Sequence, residues 1–290
     1  MKKIGVVTSG GDAPGMNAAI RAVTRVACSK GIDVVGFERG WDGLISNNLK
    51  QLTPRNVGGI LHVGGTILRT SRSPEFRKPE GIQKAAKALE INNIDGLVVI
   101  GGDGSLRGAL ALSKLSGTLM VGIPATIDND VYGTDESIGF DTAVNTAIGE
   151  IDKIRDTANS HERIFVVEVM GRKRGFLALT IGLTAGAEVI LVPEVDYSLE
   201  SIVHTLKVNG AKGKKSGIIV AAEGIGDTRK LLKDIEQLAG ADVRLSVMGY
   251  AQRGGNPTAR SRLLANLFGA KAVELLMNKN ENQMVGLEAG

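Results

Sequence analysis

The sequence predicts an α/β protein of two lobes, each a mostly parallel sheet covered by helices. Three observations carry the prediction. Short β-branched runs alternate with helical ones along the chain. Those runs are apolar throughout, as in strands buried on both faces. Glycine, 39 of 290 residues, gathers where strands hand over to helices; its usual share is about 7%.

The elements follow in order. Lys3–Thr8 reads as a strand, closed by Gly10, Gly11 and Gly15. A helix over Met16–Ser29 places Ile20, Val23, Val26 and Ala27 on one face. Asp33–Phe37 is a second strand, and Ile82, Ala85, Ala86 and Leu89 mark an amphipathic helix. Leu97–Ile100 is an apolar strand closed by Gly101 and Gly102, followed by a helix over Leu106–Leu115 and a strand over Met120–Ile123. Pro124–Thr134 reads as a loop, the natural division between lobes. The rhythm then repeats: helix Asp141–Thr157, strand Ile164–Val169, helix Phe176–Ala185 and strand Val189–Val192. Helix Leu199–Val208, strand Gly217–Ala222, helix Thr228–Leu238 and strand Val243–Val247 follow. Leu263, Leu264, Leu267, Ala270 and Leu275 mark a last helix.

Composition excludes several classes. With 43% hydrophobic and 23% charged residues the chain has material for a core. No apolar run reaches the 18 residues of a membrane span, and the short apolar stretch after Lys2 and Lys3 reads as a strand rather than a signal peptide. The single cysteine, Cys28, excludes an intrachain disulfide, and His62, His161 and His204 lack ligand spacing for zinc. A net charge of +4 without a concentrated basic stripe argues against nucleic acid. The default expectation is a cytoplasmic enzyme or binding protein. Aromatics are only 3%, which argues against a sandwich built on buried aromatics or an aromatic nucleic-acid platform.

In open α/β sheets, ligands bind beyond the carboxyl ends of strands. Three such loops stand out. TSGGDAPG (Thr8–Gly15) leads from strand to helix, where backbone N–H groups and the helix dipole favour an anion; a plain tight turn explains it equally. GGDGS (Gly101–Ser105) adds Asp103, an acid beside phosphate-cradling backbone that suits a bridging Mg²⁺ ion; the competing reading is a helix N-cap. PATIDND (Pro124–Asp130), if extended, projects Asp128 and Asp130 to one side. One acid could then take a proton while the other holds a metal; solvated acids of an Asx-turn are the alternative. G-x-x-x-x-G-K-[ST] is absent, and Gly102 and Gly104 are followed by Gly108, too late for G-x-G-x-x-G. A P-loop ATPase and a dinucleotide dehydrogenase lose support.

Together and in this order the loops resemble the bacterial type of ATP-dependent 6-phosphofructokinase. SRSPEFR (Ser71–Arg77), SHERIFVVEVMGR (Ser160–Arg172), AEG (Ala222–Gly224) and GYAQRGGNPTA (Gly249–Ala259) extend the resemblance over essentially the whole chain. It implies two Rossmann-like lobes: 1–138 with 251–290 binding ATP, and 139–250 binding sugar phosphate. It implies that Gly11, Arg72, Gly102, Asp103, Gly104 and Ser105 hold the ATP phosphates, with Asp103 and Asp130 near Mg²⁺. Asp128 would be the general base on the sugar 1-hydroxyl, with Thr126 and Ile127 lining that site and Arg172 on the phosphates. Met170, Gly171, Arg172 and Glu223 would hold fructose 6-phosphate, and Arg253, beside Tyr250, its 6-phosphate. Arg163 and Arg244 look like the arginines that reach a neighbouring subunit's site, which implies a homotetramer. Arg21, Arg25, Arg155, Lys212, Lys214 and Lys215 match the basic residues of the family's effector site for ADP or phosphoenolpyruvate.

Pyrophosphate-dependent relatives carry Asp at the place of Gly104 and Lys at that of Ala125, so ATP is the expected donor. The rivals are a pyrophosphate-dependent enzyme and a silent sugar-phosphate or nucleotide sensor; the intact Asp103, Asp128 and Arg172 argue against the sensor. Tyr250 replaces the usual histidine and Val63 a common arginine. Relatives continue for about one more helix past the place of Gly290, so the chain reads as either a natural short form or a truncated one, and a missing packing element could expose apolar surface and weaken the tetramer.

Overall fold

A computed structural model describes residues 1–280 and 282–290. The chain forms two compact units, Met1–Thr142 with Arg253–Gly290, and Ala143–Gln252.

The first unit is built on β1 (Lys3–Ser9), β2 (Asp33–Phe37), β3 (Leu49–Leu52), β4 (Gly96–Gly101), β5 (Leu119–Thr126), β6 (Ile138–Gly139) and β11 (Gln283–Met284). Their order is β11-β5-β4-β1-β2-β3, with β6 also on β5. Every pair is parallel except β2 with β3. Helices α2 (Gly40–Ile45), α3 (Pro79–Ile91) and α4 (Asp103–Ser116) close one core around Val7, Phe37, Leu97, Val99, Leu89 and Leu112. Helices α1 (Met16–Ser29) and α9 (Ala259–Met277) pack together, with Ile20, Val23, Leu264 and Phe268 buried. Each large aliphatic side chain taken out of water contributes about 1.5–3 kcal/mol before conformational entropy is charged against it.

The second unit carries β7 (Ile164–Val169), β8 (Val189–Leu191), β9 (Gly217–Ala222) and β10 (Val243–Val247), all parallel in the order β10-β7-β9-β8. Its helices are α6 (Phe176–Thr184), α7 (Leu199–Ala211) and α8 (Thr228–Ala239); the longer α5 (Phe140–His161) begins in the first unit. The Ser198 and Asp227 side chains accept first-turn N–H groups of α7 and α8, satisfying donors that a helix start leaves open.

Four features differ from the sequence expectation. Strand β5 runs on through Pro124, Ala125 and Thr126, because its far end gains a partner in β6. Helix α4 starts at Asp103 rather than Leu106, since the small residues of the GDGS turn fit a first helical turn. Helix α2 and strands β3, β6 and β11 carry no clear period and are short. In α9, Leu263 and Leu267 are exposed rather than buried.

Candidate active site

Three loops leave the carboxyl edge of adjacent strands in the first unit. The register places Ser9 opposite Gly101, and Gly101 opposite Pro124. The glycine loop, the GDGS turn and the PATIDND segment therefore start side by side. Gly101 has to be glycine: a Cβ there would lie 2.5 Å from Ser9 O and 2.9 Å from Ser105 Cβ. Gly10 has φ +90, and a Cβ on it would sit 3.1 Å from Ser105 Oγ, so the first two loops are in contact.

The glycine loop is held from several sides. Thr70 Oγ1 donates to Gly10 O at 2.9 Å, and Thr8 Oγ1 donates to Arg69 O at 2.8 Å. Asn17, fully buried on α1, donates through Nδ2 to Val63 O and Gly64 O at 3.0 Å and accepts from Ile67 N at 2.7 Å. Arg253 lies over the loop: a Cβ on Gly11 would be 2.3 Å from its Nη1, which is 3.9 Å from Asp12 Oδ1. The arginine keeps only 13% of its side-chain surface exposed.

The GDGS turn caps α4. Gly102 is the N-cap in an extended conformation, and Ser105 N donates to Gly102 O at 2.9 Å. The first-turn N–H groups and the helix dipole present positive potential there. Asp103 is the first helical residue, and its Oδ2 accepts from Arg107 Nε at 2.7 Å. Among the described residues no group of three or more His, Cys, Asp or Glu converges as a metal cluster. A Mg²⁺ ion held by one or two carboxylates, with water and phosphate oxygens completing its shell, needs no such cluster; Asp103 at the head of α4 and the half-buried Asp130 are oxygen donors of the kind that mode uses.

In the third loop Thr126, Ile127 and Asp128 are buried, Asp128 to 1% exposure, while Asn129 and Asp130 are half-buried. Asp128 N donates to Thr126 Oγ1 at 3.2 Å. The segment is not extended, because Asn129 is left-handed at φ 51. The two-residue alternation that would aim Asp128 and Asp130 to one side therefore does not apply.

Arg72 is exposed, beside Ser71, whose Oγ donates to Asp42 Oδ2 at 2.6 Å. Nearby, Trp41 and Phe76 stack with centroids 4.2 Å apart and planes 2° from parallel. A Cβ on Gly108 of α4 would lie 2.9 Å from Phe76 Cε1.

The second unit carries the remaining residues. Met170, Gly171 and Arg172 follow β7. Met170 N donates to Oε1 of the fully buried Gln252 at 2.8 Å. Arg172 is left-handed at φ 53, and its N donates to Glu223 Oε1 at 2.7 Å. A Cβ on Gly224 would lie 2.1 Å from Arg172 O, so the AEG segment fixes the Arg172 backbone. Tyr250 is 83% exposed. Arg163 Nε donates to Asp242 Oδ2 at 2.6 Å, and Arg244 Nε lies 2.9 Å from Asp242 Oδ1. One carboxylate thus holds both arginines, and the Arg163 hydrogen bond above all pushes the Asp242 carboxyl below its ordinary range.

Arg155, Lys214 and Lys215 form a basic cluster with acidic partners. Arg155 Nη1 is 3.9 Å from Oε1 of Glu188, whose side chain is only 5% exposed, and Lys214 Nζ pairs with the same oxygen. Lys215 pairs with Glu162 at 3.0 Å, while Lys212 is exposed. Arg21 and Arg25 belong to α1 of the first unit, four residues apart on one face. Sequence reasoning missed Asn17, Asn129, Glu188 and Asp242. Only Asn129, flanked by two acids in a loop, left a readable signal, since asparagine tolerates left-handed backbone.

Glycine turns, a helix N-terminus and acids at adjacent strand ends define a parallel α/β protein built to bind phosphates. The phosphofructokinase family profile matches residues 3–276, and the chain belongs to that family. It is 55% identical over 287 residues to an ATP-dependent 6-phosphofructokinase of Lysinibacillus sphaericus, covering 99% of this chain and 90% of the relative. A protein of the same name from Natranaerobius thermophilus is 53% identical with the same coverage. The phosphofructokinase structure from Saccharomyces cerevisiae superposes with TM-score 0.92 at 38% identity; 96% of this chain matches, spanning 42% of the yeast chain.

Proposed function

We propose that the chain transfers the γ-phosphoryl group of ATP to the 1-hydroxyl of fructose 6-phosphate, giving fructose 1,6-bisphosphate and ADP in cytoplasmic glycolysis. The observation that carries the reading is the side-by-side start of the three loops at Ser9, Gly101 and Pro124, with Asp128 buried in the third. Relatives named ATP-dependent 6-phosphofructokinase, at 53–55% identity, support ATP and the sugar phosphate as substrates.

Phosphoryl transfer demands positioning and charge neutralisation more than covalent catalysis. Backbone amides of Gly11 and of Gly102–Ser105 hold the ATP phosphates, and Arg72 neutralises them. Asp128 accepts the proton of the 1-hydroxyl as that oxygen bonds to the γ-phosphorus and the bond to the β-phosphate oxygen breaks. Asp103 and Asp130 would hold Mg²⁺, which when bound neutralises phosphate charge. Met170, Gly171, Arg172 and Glu223 hold the sugar phosphate, and Arg253 its 6-phosphate. Arginine suits these roles because its planar fork grips phosphate bidentately.

Arg163 and Arg244 serve a neighbouring subunit's substrate in a homotetramer. The exposed Phe176, Leu179 and Leu183, three and four residues apart on α6, support assembly. The basic cluster on Glu188 and Glu162, together with Arg21 and Arg25, supports an effector site for ADP or phosphoenolpyruvate. A coupled assay with ATP, Mg²⁺ and fructose 6-phosphate tests the reading. Absence of turnover with these substrates, or turnover with pyrophosphate alone, would overturn it.

A further inference from the structure

Asn129 separates the two acids of the PATIDND loop, and nothing in the reading above uses it. Its backbone is left-handed at φ 51, a conformation that costs most residues energy and that asparagine, aspartate and glycine accept readily. Its side chain is bonded at both ends. Oδ1 accepts from Ser137 N at 2.8 Å, and Nδ2 donates to Asp135 O at 3.0 Å. The amide orientation is therefore fixed by a donor on one side and a carbonyl on the other. Ser137 Oγ lies 3.1 Å from the same Oδ1 and donates to Thr126 O at 2.7 Å. Asn129 thus closes the loop from its far arm back to the strand end that carries Asp128.

The far arm is itself held. Asp135 N donates to Leu287 O at 2.8 Å, Ala289 N to Asp135 Oδ2 at 2.7 Å, and Leu287 N to Thr134 Oγ1 at 3.0 Å. Arg260 Nε donates to Glu136 Oε2 at 2.8 Å. The C-terminal segment and α9 therefore brace the arm, and Asn129 is the link from that brace to the acids.

We propose that Asn129 is a positioning residue: its left-handed turn and two-ended amide set the direction in which Asp128 and Asp130 leave the loop. Asparagine combines tolerance of this backbone with a donor and an acceptor on one short planar amide. Aspartate would turn the donor into a second carboxylate oxygen facing Asp135 O, and glycine would keep the turn and lose both bonds. The inference rests on the reading of Asp128 as the base.

The test uses the full chain with Asn129→Gly and Asn129→Asp. Both keep the backbone accessible, so each should melt within a few degrees of the parent. A misplacement of about 1 Å costs about 10²-fold in rate. The Gly variant should lose about that in kcat, and the Asp variant about tenfold, with KM for both substrates within about threefold. Hydrogen exchange followed by mass spectrometry should show a peptide over 126–138 exchanging at least about tenfold faster in the Gly variant. Unchanged exchange, or a kcat per folded molecule within about twofold of the parent in both variants, would show a merely structural residue and overturn the proposal. A parent chain without turnover would sink the phosphotransfer reading instead, and the exchange comparison would still decide whether Asn129 holds the loop.

Discussion

Arg107 Nε donates to Asp103 Oδ2 at 2.7 Å, one turn along α4. The carboxylate holds the arginine's pKa above its ordinary value. The side chains are 78% and 44% exposed, and surface ion pairs of this kind add little to stability. If Asp103 holds Mg²⁺ as proposed, the pair matters at the metal, because the guanidinium occupies one of its two carboxylate oxygens. Arg107→Gln should leave the melting temperature within about 2 °C and lower the half-saturating divalent-ion concentration about threefold. Titration with Mn²⁺ in the absence of nucleotide measures it. Weaker Mn²⁺ binding in the variant would mean that Arg107 supports the metal rather than competing with it.

Asp128 is the proposed base, and its burial at 1% exposure separates it from the half-buried Asp130. Asp128→Ser should lower kcat at least about 10²-fold, the lower range for general-base loss. Steady-state kinetics at saturating substrates decides it; a near-parental kcat would remove the residue from that role.

Both sheets were readable in the sequence because their central strands are buried on both faces and run apolar: GLVVIG at β4 is buried throughout. The edges were not. Strand β3 reads LKQL with only its last residue buried, and β11 is two residues long; backbone pairing rather than side-chain burial makes them strands, so they leave no period. The phosphate loops were legible because glycine and acid at a strand end are unusual together. Long-range side-chain bonds were not. Asp242 meets Arg163 across 79 positions, and Asn17 meets Gly64 across 47; neither spacing has a local signature. The same limit explains why Asp128 and Asp130 were expected on one side, since alternation assumes a backbone that Asn129 does not adopt.

Gly104 sits in the first turn of α4 with open space around it: a Cβ there meets nothing within 4 Å. An aspartate is therefore sterically admissible, and its effect should fall on the nucleotide rather than the fold. Gly104→Asp should keep the melting temperature and raise the KM for ATP at least about tenfold by placing like charge at the helix end proposed to hold the ATP phosphates. The parent chain should turn over with ATP and not with pyrophosphate. An unchanged ATP KM in the variant would place the phosphates away from this turn.

Asp242 accepts from Arg163 and pairs with Arg244, and these contacts push its pKa below the ordinary 3.8. A carboxyl with a lowered folded pKa binds its proton less readily than in the unfolded chain, so stability rises with pH through that range. The contribution is complete above about pH 4 and fades as pH falls through the lower folded value. Asp242→Asn should therefore melt slightly below the parent at pH 7 and at pH 5, with the two curves converging only as pH falls below the ordinary 3.8. Melting series across that range measure the gap; a gap that widens in acid would contradict the assignment. The same substitution releases both arginines from their shared carboxylate. If they serve the sugar phosphate, fructose 6-phosphate saturation should shift while kcat stays within about twofold, because neither arginine belongs to the proton transfer proposed for Asp128. A fall in kcat with saturation unchanged would assign Asp242 to the chemical step instead.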